Sequence, residues 1–267
     1  MSTCKLGIIG GGNMAGAILH GMLVNWLLPA EGIILSEPLV ERRERLGRYG
    51  IKVTDDNTLA AGCPRVLLAV KPQVLGEVLT QMAPAVAADA LVISIAAGRT
   101  TAFIDKSLGG KGHIVRVMPN TPMLAGAGMS AIAPGPRATE EDLQWVEQAF
   151  GCCGQTIRVE ESAMDAVTAL SGSGPAYFFY LVEAMVAAGV AEGLDPDTAE
   201  RLARATCAGA GKLLEKSRDS ARQLRANVTS PGGTTQAAIE AMESAGVAQA
   251  LVAAIRAAAA RSRQLGQ

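Results

Sequence analysis

The run Gly10-Gly11-Gly12-Asn13-Met14-Ala15 constrains this chain more than any other stretch. Its spacing is Gly10-x-Gly12-x-x-Ala15, and it stands between two different local patterns. Before it, Lys5–Gly10 is a short apolar run ending in glycine, as a strand buried on both faces requires. After it, Met14, Ile18, Met22 and Trp26 fall on one helical face, which predicts a helix over Asn13–Leu27. Glycines between strand and helix permit a tight turn and let backbone approach a pyrophosphate. The helix N-terminus then offers unpaired N–H groups and the positive end of its dipole. The bland alternative is a glycine-rich turn in an ordinary sheet protein, and the strand–turn–helix context favours the dinucleotide reading over it.

The rest of the first half repeats the alternation. Strands are expected at Gly32–Ser36, Arg65–Val70 (the third) and Ala90–Ile95 (the fourth), with helices at Leu39–Tyr49 and Gln73–Met82. Ile114–Met118, Gly128–Ala133 and Gln155–Val159 read as further strands, and Thr139–Gly151 as a helix with Thr139 as its cap. This order predicts an α/β fold: an N-terminal Rossmann-type, doubly wound parallel sheet with helices on both faces. After about residue 160 strand signals stop. Helical patterns follow at Ser162–Leu170, from Pro175 to about Glu192, from Asp195 through Ser217, and at Ser220–Asn227, Thr234–Ser244 and Val247–Gln264. The expected division is therefore 1–160 for a dinucleotide-binding domain and 161–267 for an all-helical C-terminal domain.

Composition narrows the partners. A net charge of -1 gives no electrostatic reason to expect nucleic acid. No uncharged apolar run reaches the roughly 18 residues of a membrane span, and no cleavable leader precedes Lys5, so a soluble, cytoplasmic chain is expected. The five cysteines (Cys4, Cys63, Cys152, Cys153, Cys207) form no CxxC pair and are odd in number. They are expected to be reduced thiols, with Cys152-Cys153 serving packing rather than catalysis. His20 and His113 have no ligand spacing around them, so no metal site is expected.

Two places could contact ligands. Ser36-Glu37-Pro38 ends the second strand, at about the 20-residue spacing where an acid binds the 2′-hydroxyl of NAD. Arg42 and Arg43 follow and could instead receive a 2′-phosphate, or simply face solvent, so the choice between NADPH and NADH stays open at this point. Near the far end, Asn227-Val-Thr-Ser-Pro-Gly-Gly-Thr-Thr235 makes a Pro-Gly turn into a helix. Its free N–H groups can hold a carboxylate, and the threonine hydroxyls can add a hydrogen bond. A plain helix start after a turn fits these residues equally well.

Ala69-Val-Lys-Pro72, Ala96-Ala-Gly98, Met118-Pro-Asn-Thr-Pro122, Leu170-Ser-Gly-Ser-Gly-Pro-Ala176 and Val228-Thr-Ser-Pro-Gly-Gly-Thr-Thr235 follow the glycine turn in the order found in pyrroline-5-carboxylate reductases, and the chain resembles that family along nearly its whole length. The resemblance implies NAD(P)H reduction of pyrroline-5-carboxylate to L-proline. It also implies helical-domain dimers, often stacked into larger rings, with residues 161–267 serving substrate binding and dimerisation. By motif, it implies cofactor contacts at Gly10, Gly11, Gly12, Asn13, Met14, Asn57, Val70, Lys71 and Ala97. Glu161, Asn227, Ser230, Gly233, Thr234 and Thr235 fall on the substrate side, Asn227 also near the nicotinamide. The family often has a small polar residue where Glu37 stands. Bland readings exist: Asn57 as a turn residue, Lys71 as a solvated loop charge, Glu161 as a helix-entry charge.

The acceptor so implied is a cyclic C=N carbon. A donor near its nitrogen lowers the barrier more than uniform binding does, and Thr235 is the expected donor. A hydroxyacid dehydrogenase on the same plan would need a Lys or His acid/base, but Tyr177, Phe178, Phe179 and Tyr180 follow the Gly172-Ser-Gly174 segment. A non-catalytic dinucleotide sensor would have no need of Thr234 and Thr235.

Overall fold

The computed structural model describes residues 4–266. In the first half, strands β1 (Leu6–Ile9), β2 (Ile33–Ser36), β3 (Lys52–Thr54), β4 (Arg65–Leu68), β5 (Leu91–Ser94), β6 (His113–Met118), β7 (Gly128–Pro134) and β8 (Gly154–Arg158) build one sheet. Helices α1 (Asn13–Val24), α2 (Val40–Gly47), α3 (Asn57–Ala61), α4 (Leu75–Met82), α5 (Thr101–Ser107) and α6 (Glu140–Gly151) cover it. The strand order is β3-β2-β1-β4-β5-β6-β7-β8. Every residue of β1 is buried, as a central strand demands. Its neighbours alternate between faces: Ile8 joins Ile18, Leu19, Met22 and Phe150 in one core, while Ile9 joins Leu68, Leu79 and Ile104 in the other.

Three features depart from the expected pattern. β7 runs antiparallel to β6, so the sheet is not wholly parallel. The link between them is a short 3-10 turn, Thr121–Ala125, with no crossover helix to carry the chain back for a parallel pairing. β3 was not expected, being a three-residue polar edge strand, and Arg65–Leu68 is therefore the fourth strand rather than the third. The short helices α3 and α5 were also unexpected, although Asp56 and Thr100 cap them through Thr58 N–H and Phe103 N–H.

Cys4 and Cys63 form a disulfide, with Cα atoms 5.4 Å apart, against the expectation of five reduced thiols. The cause is tertiary. Gly7 lets α3 lie directly on β1, where a Cβ would overlap the Ala60 carbonyl. Cys4, two residues before β1, and Cys63, two residues after α3, are thus brought together. Cys153 is free and buried, and burial, reinforced by Cys152, pushes its thiol up to about 11, which suits packing rather than nucleophilic chemistry.

The expected Thr139 cap is present as a full capping box. Thr139 Oγ1 accepts from Asp142 N–H at 3.2 Å, and Asp142 Oδ2 accepts from Thr139 N–H at 2.9 Å. His113 Nδ1 lies 2.8 Å from the same oxygen. Burial alone would raise the Asp142 pKa, but hydrogen bonds from Thr139 and His113 outweigh it and hold the carboxyl below its usual 3.8. A depressed folded pKa contributes stability that is fully present above the unfolded value and lost as pH falls through the folded one. Asp142→Ala should therefore cost about 1 kcal/mol at neutral pH. The difference should shrink as pH falls below about 4, checked by urea unfolding across that range. A penalty independent of pH would show that the carboxylate is not the stabilising species.

The C-terminal region continues with α7 (Met164–Val167), a π-helical turn over Thr168–Gly172, and helices α8 (Gly174–Ala191), α9 (Pro196–Lys216), α10 (Ala221–Asn227), α11 (Thr234–Ser244) and α12 (Val247–Gly266). Two compact units result: Met1–Ser173 with Ala258–Gln267, and Gly174–Ala257. This division falls later than residue 160, because Met164 is fully buried against Met118, Ala131 and Ala133 of the sheet unit. The end of α12 also belongs there, through Ser262 Oγ donating to Asp165 Oδ1 at 2.6 Å.

Within the second unit, Gly189 lets α8 approach Ala199 of α9 closely. Phe178, Phe179, Tyr180, Leu213 and Leu214 remain exposed. By length and composition the stretch Glu161–Ala191 could cross a membrane, with a mean hydropathy of 1.4 over 18 residues.

Candidate functional site: a glycine cradle and a Pro-Gly helix start

The site in the first unit follows from the strand order. The chain adds β2 and β3 on one side of β1, then crosses to β4 on the other, and ligands of such sheets bind outside the strand ends where the order reverses. Gly10, Glu37 and Ala69 follow β1, β2 and β4 at that place. A cavity of about 660 Å³ opens there. Of the residues expected to touch a cofactor, Gly10, Gly11, Gly12, Asn13, Glu37, Asn57, Val70 and Lys71 all line it. Met14 and Ala97 do not: Met14 packs on the core beneath α1, and Ala97 packs with Met118 and Met164.

Each glycine has its own reason. Gly10 has φ +100°, and a Cβ there would stand 2.6 Å from the Ala69 carbonyl oxygen. A Cβ on Gly11 would come within 3.1 Å of the Glu37 side chain. Gly12 has an ordinary φ of -69°, and its Cβ would point into open space. Gly12 is also the N-cap of α1, no side chain caps the helix, and no acid occupies its first turn. The first N–H groups of a helix lack intrahelical partners. An open, uncapped, acid-free helix start beside bare backbone fits the pyrophosphate of a dinucleotide.

Glu37 is only 3 % exposed. Its Oε2 accepts from Gly11 N–H at 2.7 Å and its Oε1 from Leu39 N–H at 3.1 Å. Asn57 is equally fixed: its Oδ1 accepts from Ser36 Oγ at 2.8 Å and its Nδ2 donates to Gln81 Oε1 at 2.7 Å. Sequence reasoning missed Gln81 as a cavity residue, whereas Ser36 lies in the Ser36-Glu37-Pro38 segment expected to contact a ligand. Gln81 sits on the exposed side of a helix and carries no local signal.

Glu161, which the resemblance puts on the substrate side, belongs to the first unit. It is not among the cavity residues. It accepts from Thr101 N–H at 2.7 Å and from the Thr101 hydroxyl, and it lies 3.4 Å from Arg116, which is 4 % exposed. Those contacts cap α5 and neutralise a buried guanidinium.

The second unit holds Asn227, Ser230, Gly233, Thr234 and Thr235. Ser230-Pro231-Gly232-Gly233 is a turn closed by Gly233 N–H donating to the Ser230 carbonyl at 3.0 Å. Pro231 presets the second position, and Gly232, at φ +68°, supplies the third. α11 begins at Thr234, as expected, with Gly233 as its N-cap and no side-chain cap. Thr234 and Thr235 are thus its first two residues. Asn227 ends α10, its Oδ1 accepting from Gln223 Nε2 at 2.8 Å. A small carboxylate fits an uncapped helix start of this kind.

Residues 161–265 match the family model for pyrroline-5-carboxylate reductase dimerisation, and residues 5–98 match that described as NADP oxidoreductase, coenzyme F420-dependent. A pyrroline-5-carboxylate reductase of Synechocystis sp. is 43 % identical over 99 % of both chains. The chain belongs to the pyrroline-5-carboxylate reductase family. Solved structures agree along the whole length. The pyrroline-5-carboxylate reductase of Coxiella burnetii has a TM-score of 0.92 at 35 % identity, covering 99 % of each chain. The pyrroline carboxylate reductase of Plasmodium falciparum, solved with NADP bound, has a TM-score of 0.89 at 30 % identity, covering 100 % of each chain. Family membership gives the exposed apolar side chains of α8 and α9 a context, since they fall inside the stretch matched by the dimerisation model.

Proposed function

We infer that this chain reduces L-1-pyrroline-5-carboxylate to L-proline, the last step of proline biosynthesis, with NADPH or NADH as the reductant. The observation that carries this is the open glycine cradle at the reversal of strand order, in a chain that matches pyrroline-5-carboxylate reductases from end to end. A reduced nicotinamide bound in the cradle's cavity supplies the hydride.

The chain's own residues bind and orient. Gly10, Gly11, Gly12, Asn13, Asn57, Val70 and Lys71 line the dinucleotide cavity. The N–H groups of Gly233, Thr234 and Thr235 hold the substrate carboxylate at the start of α11, flanked by Asn227 and Ser230. The Thr235 hydroxyl donates toward the imine nitrogen, where negative charge would otherwise develop. A hydroxyl is a weak acid, so its part is to orient and polarise an already protonated iminium. Positioning of this kind accounts for several kcal/mol of a barrier.

The dimerisation match supports an oligomer, and we read its form as a homodimer or a ring of dimers. Exposed Phe178, Phe179, Leu213 and Leu214 supply the apolar surface. This reading places the enzyme in the cytoplasm, where the Cys4–Cys63 pair faces a reducing pool. The test is loss of NAD(P)H absorbance on adding pyrroline-5-carboxylate to purified protein, with small hydroxy and oxo acids as controls. Turnover of the cyclic imine with proline as product is expected. Turnover confined to the acids would replace the assignment with a hydroxyacid dehydrogenase.

A further inference from the structure

We infer that Glu37 makes this chain select NADH over NADPH, an inference that rests on the dinucleotide reading of the cradle. Strand register fixes where Glu37 lies. Ile9 of β1 pairs with Ser36 of β2, so the next residues, Gly10 and Glu37, leave the sheet side by side. The end of the second strand is where the adenosine ribose meets such a fold. Glu37 forms part of the cavity wall there.

Its carboxylate cannot turn away. One oxygen accepts from Gly11 N–H at 2.7 Å and the other from Leu39 N–H at 3.1 Å. Its stem packs against Gly11, where even a methyl group would crowd it. An ionised carboxylate has about four acceptor sites, so after two N–H bonds it can still accept from ribose hydroxyls. A 2′-phosphate brings up to about two negative charges and no donor at neutral pH. Against a fixed, nearly buried carboxylate that is repulsion in a poorly screened place.

The nearby arginines do not reverse the sign. Arg43 is committed: its Nη1 donates to the Glu37 and Pro38 carbonyls at 2.7 and 2.8 Å, and its Nη2 lies 3.8 Å from Asp55. Arg45 Nη2 reaches the Gly11 carbonyl at 3.5 Å. Arg42 lies 3.6 Å from Glu37 Oε2, so its charge is set against that carboxylate first. A phosphate drawn to Arg42 must displace this pairing while Glu37 stays in place.

The test is calorimetric titration of the purified protein with NADH and with NADPH, without substrate. NADH should bind at least about tenfold tighter, a difference of 1.4 kcal/mol. Glu37→Ser should shift the ratio of the two dissociation constants toward NADPH by at least about tenfold. Glu37→Gln, which keeps the stem on Gly11, should shift it in the same direction. Equal or tighter NADPH binding by the unsubstituted protein overturns the inference, as does an unchanged ratio in a folded variant. If neither variant folds, the unsubstituted ratio alone decides. The substrate assignment fails separately: selective NADH binding with no turnover of pyrroline-5-carboxylate leaves this inference standing, and turnover favouring NADPH removes it while the assignment stands.

Discussion

Replacing Gly10 with valine should abolish useful dinucleotide binding, raising the NADH dissociation constant at least about a hundredfold, roughly 2.8 kcal/mol. Two costs combine. The backbone at φ +100° strains any residue with a Cβ. That Cβ would also stand 2.6 Å from the Ala69 carbonyl oxygen and 3.0 Å from Val70 Cγ1, both in the wall of the cavity. The turn must move, and Gly11 and Gly12 move with it. Because such a variant could also lose stability, Gly12→Ala supplies the control. Its Cβ meets nothing within 4 Å and its φ of -69° suits alanine, so the melting temperature should hold. The same methyl would stand where a pyrophosphate approaches the start of α1, so binding should still weaken. Calorimetry with a thermal melt on each variant separates the effects. Gly10→Val binding NADH within threefold of the original would remove the cradle from the site.

Thr235→Ala should lower kcat at least about tenfold, or 1.4 kcal/mol of transition-state stabilisation. Thr235 is the second residue of α11, in a helix start that no side chain caps. Alanine there keeps the helix and its N–H groups, and so keeps carboxylate binding. What it removes is the hydroxyl proposed to face the imine nitrogen. A loss confined to kcat, with KM little changed, is the signature of an interaction made chiefly in the transition state. Thr235→Ser should recover most of the rate. An unchanged kcat in the alanine variant takes Thr235 out of the mechanism; a changed oligomeric state, read by light scattering, would mark a structural cause instead.

Some of the site was legible because its signals are local. The glycine turn was readable from a strand pattern on one side and a helix pattern on the other, and Gly10 does carry the positive φ that only glycine adopts freely. The start of α11 at Thr234 was readable from the Pro-Gly pair before it, and the Thr139 cap from the residues that follow it. Each of these rests on neighbours within a few positions.

Other features depend on partners far along the chain. Glu37 was placed by spacing, but its capture by Gly11 N–H comes from β1 and β2 lying in register. Asn57 was matched by resemblance, yet Ser36 and Gln81, which hold its amide, come from two other elements. Glu161 carried no sign that Thr101 and Arg116, from α5 and β6, would claim it.

The sequence by itself determined most of the local pieces: the longer strands and helices, and the starts of α1, α6 and α11. Those depend on backbone preferences and side-chain periodicity, which act over one or two turns of chain. Only the tertiary structure decided the reversal of β7, the Cys4–Cys63 pairing and the orientation of the Glu37 carboxylate. Each is settled by two segments meeting in space, and whether they meet depends on how the whole sheet packs.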